Sequence, residues 1–162
     1  VDAITGFYFT SLLNLNARGV KDEDIDVMMY PKYGANIYGN AIIVSDTFMK
    51  EKPEAVRGFL RALTKGIRGV LADPDGPIKF VKERDALIDE ALEKRRMRLA
   101  IDSAIATPIA KADGIGGVQP ARLADMVTPV SAAFALTNPV KPEQVWNGTF
   151  LPPKADRMVV PK

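Results

Sequence analysis

Apolar and polar positions follow two rhythms along the chain. The first dominates the N-terminal third, where three short apolar runs read as strands: Val1 to Thr5, Asp26 to Tyr30 and Asn40 to Ser45. The last, Asn-Ala-Ile-Ile-Val-Ser, is nearly continuous in apolar residues, the pattern of a strand buried on both faces. Between the first two, Thr10 or Ser11 is placed to cap a helix running to about Ala17. Leu12, Leu13 and Leu15 are its apolar residues, and Gly19 stops it. Pro31 ends the second strand, and residues 31 to 39 form a loop with turn residues and two tyrosines.

From Asp46 onward the rhythm is helical. Asp46 caps a short helix that ends before Pro53. The strongest amphipathic pattern runs from about Pro53 to Ala72, with Val56, Phe59, Leu60, Leu63, Ile67, Val70 and Leu71 at helical spacing and Arg57, Arg61, Lys65 and Arg68 on the other face. A smaller helix is predicted near Ile78 to Glu83, and a long charged one from about Ala86 to Ile105. Thr107 to Gln119 reads as a loop. Pro120 then opens a helix to about Leu136, with a kink expected at Pro129. Residues 137 to 162 are Pro-rich, with one helical turn around Glu143 to Trp146.

Strand, helix, strand, loop, strand and then a helical stretch predict an α/β architecture. Three strands do not make a stable sheet of this kind alone, so their partners are expected from another segment or another chain. A strand already under way at Val1 leads us to expect that these residues are a fragment of a longer protein.

Composition narrows the chemistry more than the fold. The chain has 162 residues, 47% hydrophobic and 26% charged, an ordinary balance for a globular protein. A formal net charge of +2 is too balanced for a nucleic-acid footprint, so no nucleic-acid partner is expected. There is no Cys and no His. Disulfides, thiolate metal sites, a Cys nucleophile, a Ser-His-Asp triad and His-ligated metals are thereby excluded from these residues. No catalytic residue, metal site or cofactor is assigned. A chain without Cys is compatible with an oxidising compartment.

Several motifs have plain readings. Gly114-Ile-Gly-Gly117 lacks the Gly-Lys-Ser/Thr ending of a phosphate loop and reads as a flexible connection before a Pro-started helix. The basic run Lys94-Arg-Arg-Met-Arg98 follows Asp89, Glu90 and Glu93, and so reads as a solvated, salt-bridged helix face. Asn147-Gly-Thr149 matches a glycosylation sequon but reads as a turn, as does Asp73-Pro-Asp-Gly76. Phe7 to Ser11 is richer. A strand ending at Gly6 delivers aromatics and hydroxyls to the start of a helix, where α/β sheets bind ligands. Two readings stand: these side chains line a cleft, or Phe7 and Phe9 are core and Thr10 a cap. Tyr33 and Tyr38 carry the same pair of readings, cleft or ordinary packing.

These segments resemble a known family. Val1-Asp-Ala-Ile-Thr-Gly-Phe7, Tyr38-Gly-Asn-Ala-Ile-Ile-Val-Ser45, Lys52-Pro-Glu-Ala-Val-Arg-Gly-Phe-Leu-Arg-Ala62 and Phe150-Leu-Pro-Pro153 are similar to stretches of ABC-transporter substrate-binding proteins of the nitrate/sulfonate/taurine and thiamine-pyrimidine-precursor type. The segment from Lys52 to Ala62 is the most specific of them.

The resemblance implies a type II periplasmic-binding-protein fold, here partial: its helix-rich C-terminal half. Residues 1–35 would be the end of the second lobe and the crossover, and residues 36–162 the C-terminal part of the first lobe. The missing N-terminal half of the same protein would supply the rest. The implied function is that of the solute-binding component of an ABC importer. It would hold a small organic ligand in an interlobe cleft, in the periplasm or on an extracytoplasmic lipid anchor, and deliver it to a membrane permease. Ligand contacts would come from Phe7, Tyr8, Phe9, Thr10, Tyr33 and Tyr38. The alternatives on the same scaffold are an enzyme of thiamine-pyrimidine synthesis, which would depend on His and Cys, and a ligand-sensing domain.

Overall fold

A computed structural model describes residues 2–138 and 140–159. In chain order its helices are α1 (Tyr8–Asn16), α2 (Asp46–Glu51), α3 (Pro53–Ala72), α4 (Ile78–Arg84), α5 (Glu90–Ala100), α6 (Pro108–Asp113), α7 (Pro120–Ala133), α8 (Pro142–Val145) and α9 (Lys154–Arg157). Three 3-10 turns, Asp22–Asp24, Tyr30–Tyr33 and Gly148–Phe150, and a π-turn at Ile101–Ile105 complete the regular elements.

Local chemistry sets most of these boundaries. Ser45, not Asp46, caps α2: its Oγ accepts from the Phe48 N–H at 3.2 Å. Asp89 starts α5 later than the charge pattern predicts, because its carboxylate accepts from the N–H groups of Ala91 and Leu92 at 2.9 and 3.1 Å. The expected long helix is thus Glu90–Ala100 running into the π-turn. α1 begins before the expected caps. Phe7 is its N-cap without a side-chain bond, and the Phe7 carbonyl accepts from the N–H groups of Thr10 and Ser11 at 2.9 and 2.8 Å. Ser11 Oγ instead lies where a side chain on Gly6 would be. Gly19 stops this segment as expected, at φ +89°. α6 occupies part of the expected 107–119 loop. The Thr-Pro pair at its start is a helix signal, with Thr107 Oγ1 accepting from the Ala110 N–H at 3.2 Å.

The expected strands do not form within these residues. Among the described residues there is no strand, and 61% are helical. Residues 2–5, 25–29 and 40–45 are irregular and unpaired. Ile42 is 56% exposed and Ile43 92%. β-branched sequence favours an extended backbone, but a strand is completed by a neighbour's N–H and C=O groups, and none of these segments finds one in another. The described residues therefore do not build the α/β sheet by themselves.

The chain divides into two compact units. One comprises Val1–Val27, Leu63–Ile115 and Lys154–Lys162; the other comprises Met28–Ala62 and Gly116–Pro153. In the first, α5 packs against α1 and α4. Leu12, Leu13, Thr64, Ile78, Ile101 and Val159 are its buried side chains. Ile115 and Arg157 bond in both directions, the Ile115 N–H to the Arg157 carbonyl at 2.8 Å and the Arg157 guanidinium to the Ile115 carbonyl at 2.7 Å. This pins α9. In the second unit, Val56 and Leu123 are buried and α7 packs on α8. Arg57 reaches the 148–150 turn there, donating to the Thr149 carbonyl at 3.4 Å and lying 4.7 Å from the Phe150 ring. Two of the segments that carry the family resemblance thus touch.

Candidate functional site

The Phe7–Thr10 group is built on the first turn of α1, within the first unit. Phe7 and Phe9 stack, with centroids 5.4 Å apart and planes 19° from parallel. Phe7 is exposed, while Tyr8, Phe9 and Thr10 are half-buried. Arg96 holds this turn from α5. Its Nη1 donates to the Phe9 carbonyl at 3.1 Å, and its Nε meets both Glu93 carboxylate oxygens at 3.1 Å. The pair is only 21% and 23% exposed, so its geometry is better protected from solvent than that of the other ion pairs.

The other expected contacts lie in the second unit. Tyr33 ends the Tyr30–Tyr33 turn, which closes at Gly34 with φ +88°, and its side chain is 65% exposed. Tyr38 is half-buried and firmly held. The Arg122 guanidinium lies 4.1 Å from its ring centroid. Its hydroxyl accepts from the Gln119 N–H at 2.9 Å, and its own N–H donates to Met126 Sδ at 3.2 Å. Arg122 also donates to the carbonyls of Asn36 at 3.2 Å and Ile37 at 2.8 Å. The start of α7 therefore grips residues 36–38 by ring, hydroxyl and backbone together.

The structure thus gathers Phe7, Tyr8, Phe9 and Thr10 within the first unit and holds Tyr38 within the second, where Tyr33 is not drawn into the Arg122 contacts. Sequence reasoning missed Arg96, Gln119, Arg122 and Met126. The contacts to Tyr38 span 81 and 88 residues, a distance no local pattern encodes.

The remaining motifs take their plain readings. Arg95, Arg96 and Arg98 pair with Asp22, Glu93 and Asp75. Asp73 Oδ1 accepts from the Gly76 N–H at 3.0 Å, closing a turn. Asn147 Oδ1 accepts from the Thr149 N–H at 3.0 Å. A shallow hollow of about 270 Å³ is lined by Gly69, Asp73, Gly76, Pro77, Lys79 and Phe80. Among the described residues no group of three or more carboxylates gathers at metal-binding spacing, and no helix is long and apolar enough to cross a membrane.

The family model NMT1/THI5 like matches residues 1–76. Over that stretch the chain is similar to that family, which supports the resemblance to nitrate/sulfonate/taurine and thiamine-precursor binding proteins. The family has a periplasmic-binding-protein fold. Neither a curated protein nor a solved structure gives a significant match to the chain. All six expected ligand contacts, from Phe7 to Tyr38, fall within the matched residues.

Proposed function

We propose that this chain is part of a solute-binding protein that takes up a small organic ligand without chemically changing it. The match over residues 1–76 carries this reading, because it covers every candidate contact residue. The local chemistry supports it. Phe7 and Phe9 offer a stacked pair to a flat or apolar ligand body, Thr10 a hydroxyl, and Tyr38 a fixed phenol. The chain's own residues include no His or Cys to act as general base or nucleophile.

On this reading the irregular segments at 2–5, 25–29 and 40–45 are strands awaiting neighbours, supplied by the N-terminal half of the same protein in a type II α/β fold. Ligand binding would favour a closed arrangement of lobes. A membrane permease would receive the ligand, and the protein would then work outside the cytoplasm.

The test is calorimetry on the full-length protein with nitrate, taurine and a hydroxymethyl-aminopyrimidine, followed by mass spectrometry of the bound molecule. Saturable binding with the molecule recovered intact is the expected result. Conversion of the molecule by the protein alone would favour an enzyme on the same scaffold and overturn the reading.

A further inference from the structure

We propose that Arg122 is a positioning residue that presents the Tyr38 hydroxyl as a hydrogen-bond donor to the ligand; this rests on Tyr38 being a ligand contact, as read above. A phenol hydroxyl has one proton to donate and two lone pairs to accept with. Here the Gln119 N–H takes a lone pair at 2.9 Å, and among the described residues no acceptor takes the proton. That proton is left to a group outside these residues. Its direction is set by the ring, and the ring is set by Arg122, which covers one face at 4.1 Å.

Arg122 fixes more than the ring. Its Nε and Nη2 bond to the carbonyls of Asn36 and Ile37, the two residues before Tyr38, so backbone and side chain are clamped by one planar group. A guanidinium can do this because its N–H groups lie in one plane while its face stacks on an aromatic ring. A lysine ammonium keeps the charge but not the plane, and cannot serve two carbonyls and a ring in this geometry. Arg122 also has no carboxylate within ion-pair distance among the described residues. Its charge faces two carbonyl dipoles and the ring face rather than a carboxylate. The ligand group that Tyr38 meets is therefore a hydrogen-bond acceptor, neutral or anionic.

The experiment uses the full-length protein labelled with 3-fluorotyrosine, the Tyr38 signal being assigned by its loss in Tyr38→Phe. Arg122→Lys and Arg122→Ala should both move the Tyr38 fluorine signal toward that of a solvent-exposed tyrosine. In calorimetry with whichever of nitrate, taurine or the hydroxymethyl-aminopyrimidine binds, both should weaken binding about tenfold, the scale of one lost hydrogen bond in a site. Tyr38→Phe should weaken binding by a similar factor, and combining it with Arg122→Ala should add little, since both act through one hydroxyl. Restoration of signal and affinity by Arg122→Lys would overturn the proposal. So would an unmoved Tyr38 signal in Arg122→Ala. If Tyr38→Phe leaves affinity unchanged while the fluorine signal still depends on Arg122, the clamp is real but Tyr38 is not a ligand contact. That outcome overturns the donor role and removes Tyr38 from the reading above.

Discussion

Leu13 and Leu87 carry the same side chain to opposite fates: Leu13 is 0% exposed beneath α1, and Leu87 is 95% exposed before α5. Truncation should separate them cleanly. In the full-length protein, Leu13→Ala should cost about 2–5 kcal/mol in urea unfolding, the range for a core leucine leaving a cavity. Leu87→Ala should stay within about 0.5 kcal/mol, as surface changes do. Equal costs would contradict the burial assigned to α1. Gly114 makes a second point at this scale. Its φ is +82°, and a Cβ there would meet the Arg157 Cβ at 3.2 Å and the Arg157 carbonyl oxygen at 3.3 Å. Gly114→Ala should therefore destabilise by about 1–3 kcal/mol, from strain and from displacement of α9 together. Thermal melting of this variant beside wild type checks it.

Elements give predictions of the opposite sign. Gly66 and Gly69 lie inside α3, and a Cβ at either meets nothing within 4 Å. Replacing either with Ala should stabilise by about 0.4–1 kcal/mol, because the unfolded chain loses freedom and the helix loses none. A fall in melting temperature for both would mean that the outer face of α3 is covered by something else. At α2, Ser45→Ala removes the side-chain bond that Ser45 Oγ accepts from the Phe48 N–H at the helix start and should cost about 0.5–2 kcal/mol. Asp46→Ala should cost less, since Asp46 contributes only its charge to the first turn. α3 and the stop at Gly19 were legible because their signals are local: apolar spacing, Pro at the start and Gly at the end. α6 carries an equally local signal in its Thr-Pro start, but Gly114, Gly116 and Gly117 just after it favour a loop. The start of α5 was misplaced because acceptable helix formers precede Asp89, and only the cap decides between them.

At the scale of the molecule the unpaired segments matter most. Ile42 and Ile43 stand 56% and 92% exposed in a run that favours strand. Residues 1–162 alone should expose this apolar surface, bind a hydrophobic dye and show no cooperative thermal transition as a monomer. On the proposed reading, in which further chain supplies strand neighbours, the amides of 40–45 in the full-length protein should be strongly protected from hydrogen exchange. A cooperative transition of the 162-residue monomer, confirmed by sedimentation, would refute the need for added strands.

The sequence by itself determined where most helices lie, which segments favour extension, that His and Cys chemistry is absent from these residues, and that aromatic residues cluster at 7–9 and again at 30, 33 and 38. Each follows from local pattern or composition, which are properties of a few consecutive residues or of none in particular. Only the tertiary structure decided that Arg96 would bond to the Phe9 carbonyl and that Arg122 and Gln119 would hold Tyr38, 81 or more residues away along the chain. It also decided that the strand-like segments would go unpaired. A hydrogen bond between distant residues depends on how the intervening helices pack, and a strand depends on a neighbour that its own sequence cannot supply.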